Sequence, residues 1–144
     1  SVVFKVIGGG DKPTHKPSNV VYTGFVPDLA HEVKKCDMAL VTYPAKAVCG
    51  GVRNKVCDYM ALGLPIISTK EGMRGFDDCQ SEVEYIRANS VDEFVEQILR
   101  LKWDKKLMDS VASASLLKSH QYQWPNRADE VLKVFAQLIL EKKK

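Results

Sequence analysis

No two of the four cysteines, Cys36, Cys49, Cys57 and Cys79, stand in a CxxC pair, so the usual zinc-ligand and redox spacings are missing. Each falls in or beside a segment that reads as regular structure, the pattern of reduced thiols in a cytosolic protein. No apolar run approaches the ~20 residues that cross a bilayer, and no charged-then-apolar signal segment opens the chain. A soluble, cytoplasmic domain is the expectation. Charge of one sign is equally lacking: 21 Lys and Arg stand against 18 Asp and Glu, for a net charge of +3. Only Lys142, Lys143 and Lys144 form a run. With no basic stripe to neutralise many phosphates, nucleic acid is set aside as a partner. Internal repeats and low-complexity tracts are absent, and the one proline-rich stretch is DKPTHKPSN at 11–19.

What is present suits a single domain: 144 residues, 45% of them hydrophobic and 27% charged, can bury a core without a disulfide staple. The first residues, Val2 to Ile7, already read as a buried strand without a lead-in. The expectation is therefore a piece of a longer protein, with 1–144 as one domain.

Along the chain, VVFKVI is rich in β-branched residues and mostly apolar on both faces, as in a strand covered by helices, and Gly8, Gly9 and Gly10 end it. A second strand is predicted at Asn19 to Thr23. Asp28 is a natural N-cap for LAHEVKKC, where Leu29, Val33 and Cys36 repeat at helical spacing. Strand MALVT, Met38 to Thr42, is followed by Gly50 and Gly51 and then by a helix with Val52, Val56, Tyr59, Met60 and Leu62 on one face. Gly63 stops that helix, LPIIST is the next strand, and a weaker one lies near Val83 to Ile86. Val91 to Leu101 is an amphipathic helix with Val91, Phe94, Val95, Ile98 and Leu101 on one side, and Asp104 onwards is helical with a break at Trp124 and Pro125. Strands alternating with helices specify an α/β domain with a doubly wound parallel sheet, Rossmann-like, with extra C-terminal helices. The stretch 11–19 carries no helical pattern, although a parallel crossover normally uses a helix.

In such a sheet ligands bind where strand C-termini lead into helix N-termini. Three loops qualify. Gly8-Gly9-Gly10 either lets a ligand approach the backbone closely or is a flexible turn. YPAKAVCGGVRNK, Tyr43 to Lys55, leads into a helix whose first amides and dipole suit an anion, helped by Arg53 and Lys55; these two are otherwise solvated first-turn residues. Asp58, one turn on, is placed either to accept hydrogen bonds from vicinal hydroxyls or to pair with Lys55. The third loop is TKEGMRGF, Thr69 to Phe76. His15, His31 and His120 lie outside all three and read as surface residues, and Trp103 and Trp124 read as packing residues.

In order, VIGGG, NVVYTGFVPDLAHEVKKCDMALVTYP, GGVRNKVCDYMALGLPIIST and KEGMRGF resemble the C-terminal, donor-binding domain of GT-B glycosyltransferases, in particular the large retaining family four. DYMALGLPIIST, Asp58 to Thr69, is the most specific match. The resemblance implies binding of a nucleoside-diphosphate sugar as substrate, with no cofactor. Asp58 stands where the family has a ribose-binding Glu. Gly50, Gly51 and Val52 would offer backbone amides to the diphosphate or sugar, Gly8 and Gly9 would form the first turn of the site, and Gly24, Phe25 and Val26 occupy the base-binding loop. The family often has a further Glu at the position of Gly50, so the sugar and the stereochemical outcome stay open. The resemblance also implies an absent N-terminal partner domain that binds a glycan or lipid-linked acceptor and supplies the catalytic residue. Without that domain the chain is expected to be inactive.

No acidic pair with ligand spacing is visible, and no metal is expected. The three terminal lysines would favour an anionic membrane surface, or else form a solvated tail. Two other readings remain: a non-catalytic nucleotide-binding or protein-interaction module, which the fold alone would equally allow, and one half of a GT-B-fold epimerase.

Overall fold

The computed structural model describes residues 1–47 and 50–142. Cys49 and the terminal Lys143 and Lys144, named above, lie outside the described residues. The order is β1 (Phe4–Ile7), β2 (Val20–Gly24), α1 (Leu29–Val33), β3 (Ala39–Val41), α2 (Asn54–Ala61), β4 (Ile66–Ser68), a 3-10 turn (Glu71–Met73), β5 (Ile86–Arg87), α3 (Val91–Trp103), α4 (Lys105–Ser119), a second 3-10 turn (His120–Tyr122) and α5 (Trp124–Glu141).

All strand pairing between these elements is parallel, and the strands form two groups, β1-β2 and β3-β4-β5. β1 meets β2 with Phe4 opposite Val20, and the register slips between Val6 and Ile7. The connection across the proline-rich stretch contains no helix, because its prolines lack the N–H a helix needs.

β4 is the centre of the larger group. Its pleat sends Ile66 to one face and Ile67 to the other, both fully buried. Ile66 packs with Val41, Val56, Met60, Met73 and Phe76, whereas Ile67 packs with Ile86, Ile98, Leu101 and Val111. Helix α2 thus covers one face and helix α3 with the first half of α4 the other, the doubly wound arrangement that the alternating pattern predicts, and α4 runs on to pack against α2. Truncating either isoleucine to Ala would cost about 2–5 kcal/mol.

Helix ends follow their residues. Asp28, Ser90 and Asp104 cap α1, α3 and α4 by accepting hydrogen bonds from the amides of His31, Glu93 and Leu107. Helix α2 ends in a Schellman turn: Leu64 N–H donates to Tyr59 O and Gly63 N–H to Met60 O, each at 3.0 Å, with Gly63 at φ +68°.

Several expectations are corrected. Helix α1 is one short turn with only Val33 buried, since two lysines and an aspartate follow it. The strand near Val83 begins only at Ile86. On α3, Val91 and Val95 face solvent and the buried face narrows to Ile98 and Leu101. Trp103 and Trp124, expected to pack, are 78% and 88% exposed. Helix α5 carries Leu132, Phe135, Leu138 and Ile139 and buries none of its residues within this chain.

Candidate functional site

Gly8 and Gly24 come together where β1 and β2 end: Gly8 N–H donates to Gly24 O at 3.1 Å. Phe25, the next residue, is 84% exposed, and Val26 is half-buried. The first glycine turn and the loop after β2 are therefore one neighbourhood.

The second neighbourhood lies past β3 and β4. Helix α2 begins at Asn54, directly after Arg53, and no side chain caps it. Its first turn bears Lys55, and one turn on stands Asp58, both exposed. Gly50, Gly51 and Val52 precede it and are exposed, while Val52 abuts Gly75 of the third loop. Asp58 also acts on its neighbours: burial first and then its charge push the Tyr59 phenol and the Cys57 thiol above their ordinary pKa values.

Arg53 is turned inward. It is 5% exposed, donates from Nη2 to Glu71 Oε1 at 2.6 Å, and lies 4.3 Å from the centre of the Tyr43 ring. Lys55 Nζ lies over the same ring at 5.2 Å. The other Glu71 oxygen is ion-paired with Arg74, whose Nη2 lies 2.9 Å away, and the Arg74 side chain is 54% exposed. Lys55, Tyr43, Arg53, Glu71 and Arg74 thus form a continuous string of contacts holding three cations and one carboxylate. The sequence points to Arg53 and Lys55 as a pair of similar cations; burial makes them unlike, with Lys55 facing out and Arg53 held within the protein.

Thr69 joins the same two loops from below. Its hydroxyl donates to Tyr43 O at 2.6 Å and accepts from Gly72 N–H at 2.9 Å. Sequence reasoning singled out neither Thr69 nor Glu71 nor Tyr43 as site residues. The partners of Glu71 lie 3 and 18 residues away, and only the nearer one falls within its own loop.

A cleft of about 1150 Å³ separates β1 from β3, and Ile7, Thr42, Lys55 and Asp58 are among its lining residues. Residues of β1 and β3 share it with Lys55 and Asp58 of α2. Its other walls mix apolar residues such as Phe4, Leu40 and Leu62 with the charged Lys5, Lys35, Asp37 and Lys102. Among the described residues no group of three or more His, Cys, Asp or Glu is arranged to hold a metal ion, and no helix is long and apolar enough to cross a membrane. His15, His31 and His120 are exposed.

Parallel strands covered by helices on both faces, with glycine turns at their C-terminal ends, define an α/β domain of the Rossmann-like, GT-B type. The profile of the family described as glycosyl transferases group 1 matches residues 1–104, and the chain belongs to that family. Among solved structures, Anabaena Alr3699/HepE in complex with UDP superposes with a TM-score of 0.71 at 16% identity, over 83% of this chain and 32% of that one. The same protein in complex with UDP-glucose gives 0.68 at 15% identity, over 83% and 33%. With UDP and glucose it gives 0.60 at 18% identity, over 72% and 28%. The chain thus spans about a third of the length of the structures it matches. No curated protein matches it in sequence.

Proposed function

We propose that this chain is the donor-binding domain of a nucleotide-sugar-dependent glycosyltransferase. In this reading Gly8, Gly9, Gly24, Phe25 and Val26 receive the base, and Asp58 accepts hydrogen bonds from the ribose hydroxyls. The amides of Gly50, Gly51 and Val52, the start of α2 and Lys55 meet the diphosphate. The observation that carries it is the placement of both glycine neighbourhoods and an excess of cations at the ends of parallel strands, in a chain of the group 1 family.

The chemistry assigned to this domain is that of the leaving group. As the bond from the anomeric carbon to the diphosphate breaks, negative charge grows on the phosphate oxygens. Fixed amides and a nearby ammonium stabilise that charge more than they stabilise the bound donor. The attacking hydroxyl, of a glycan or lipid-linked acceptor, would be presented by a partner domain. In this reading the counter-charge comes from the protein's own groups and no resident cofactor is needed. The enzyme would work in the cytoplasm, with the lysines at the end of the chain favouring the anionic inner face of the membrane.

Titration calorimetry with UDP, GDP and the corresponding sugar nucleotides is the test, with uridine first because the superposed structures hold UDP and UDP-glucose. One nucleotide series should bind, and Asp58→Ala and Lys55→Ala should each weaken it about ten-fold, the loss of one charge-assisted hydrogen bond. Absence of binding for every nucleotide at millimolar concentration would overturn the assignment.

A further inference from the structure

We propose that Glu71 is a positioning residue for the donor diphosphate, an inference that rests on the donor-binding reading above. Its carboxylate sets the spacing between the loop that opens α2 and the loop that follows β4. One oxygen takes Arg53, the other takes Arg74. Arg53 immediately precedes α2 and follows Gly50, Gly51 and Val52, so fixing its guanidinium fixes the backbone whose amides meet the ligand. Arg74 stands on the opposite loop, next to Gly75, which abuts Val52.

The two arginines are not equivalent. The Arg53 side chain is 4% exposed and clamped between Glu71 and the Tyr43 ring, whereas Arg74 is 54% exposed. Glu71, itself 10% exposed, balances only one of them. With Lys55 on the far side of Tyr43, three cations gather around this one carboxylate, a local excess of the sign that a diphosphate offsets. Glu71 therefore holds the buried cation in place and keeps the exposed one beside the site. Without its charge, Arg53 would be drawn towards solvent or towards the anion, and the two loops would part.

The test combines amide hydrogen exchange with titrations of UDP and uridine into the full 144-residue chain. It compares wild type, Glu71→Gln, and the pair Arg53→Met with Glu71→Leu, which replaces both charges by apolar volume and keeps a folded protein in hand if Gln alone unfolds. Exchange is expected to accelerate about ten-fold or more in 50–55 and 69–75 together, while 91–119 stay unchanged. UDP should bind about ten-fold more weakly and uridine within about two-fold of wild type, since only the phosphates lie between these loops.

A merely structural role would weaken both ligands equally, in step with the melting temperature, and would overturn the proposal. So would unchanged exchange. If wild type binds UDP and both variants bind it as well, the donor-binding reading stands and this inference alone falls. If wild type binds no nucleotide, the donor-binding reading falls and takes the positioning role with it.

Discussion

Gly75 lies against Val52: a Cβ on Gly75 would sit 2.7 Å from Val52 Cγ2, and the Gly75 backbone has φ +89°. Both the space and the dihedral therefore demand glycine at the point where the second and third loops touch. The left-handed backbone costs a substituted residue about 1–2 kcal/mol, and overpacking a close contact adds about 1 kcal/mol or more.

Gly75→Ala should accordingly lower stability by about 2–3 kcal/mol in chemical denaturation. Adding Val52→Ala removes the methyl groups that clash, so the double variant should regain part of that loss, a coupling of about 0.5–1.5 kcal/mol. Strict additivity of the two changes would show that the loops do not touch in solution.

Thr69 offers a separate handle on the same two loops. Valine at this position keeps the shape but removes the acceptor of the buried Gly72 N–H and the donor to Tyr43 O. Thr69→Val should cost about 1–3 kcal/mol, the penalty of leaving a buried polar group unmade, whereas Thr69→Ser should stay within about 1 kcal/mol of wild type. Equal stability of the Val and Ser variants would remove the hydroxyl from the account.

Local periodicity made much of this fold legible. Val56 and Met60 recur at helical spacing and are both buried, Ile66 and Ile67 mark a strand covered on both faces, and Gly63 ends α2 as a C′ glycine should. The separation of β1 from β3 was not legible, because strand pairing across a gap depends on long-range packing that no window of sequence contains. The same holds for the site. Gly8 and the α2 loop were pointed to by the rule about strand C-termini and Gly24 only by the family resemblance, but the partnership of Arg53 with Glu71 joins two loops through tertiary contact. Trp103 and Trp124 failed as predicted packing residues since hydrophobicity alone does not say whether a face of the chain meets another element.

The end of α4 gives a pH dependence with a definite sign. The Tyr122 hydroxyl donates to Asp78 Oδ1 at 2.5 Å, and the Lys118 ammonium lies 2.8 Å from Asp78 Oδ2. The hydrogen bond from Lys118, then that from Tyr122, holds the Asp78 carboxyl below its ordinary value of 3.8. Burial, then Asp78, pushes the Tyr122 phenol well above its ordinary value of 10.0. Because the Asp78 value is depressed on folding, its contribution is complete above the ordinary value and is lost as pH falls through the lower folded one. The Tyr122 value is raised, so its contribution is complete below pH 10.0 and is lost as pH rises beyond it. Stability measured against pH should fall on both sides, with Asp78→Asn flattening the acid limb and Tyr122→Phe the alkaline one. A Tyr122→Phe curve that still falls above pH 10 as steeply as wild type would assign the alkaline loss to other groups.

Phe25 separates ligand binding from folding more cleanly than any other side chain of the site. At 84% exposed it buries almost nothing in the chain itself, so Phe25→Ala should leave stability within about 0.5 kcal/mol of wild type. A phenyl ring at the end of β2, beside the Gly8 and Gly24 turn, has a free face to offer a flat heterocycle. Stacking of a base on an aromatic ring is worth about 1–3 kcal/mol, which corresponds to at least about a five-fold loss of nucleotide affinity in the Ala variant. Phe25→Trp should preserve binding, and it should also add a fluorescence change when the base arrives. The loss should appear equally for uridine and UDP, the reverse of the pattern expected for Glu71, because in the proposed orientation the ring meets the base and not the phosphates. Nucleotide affinity unchanged in Phe25→Ala would move the base away from this loop, and the whole orientation of the donor along the strand ends would then have to be reversed.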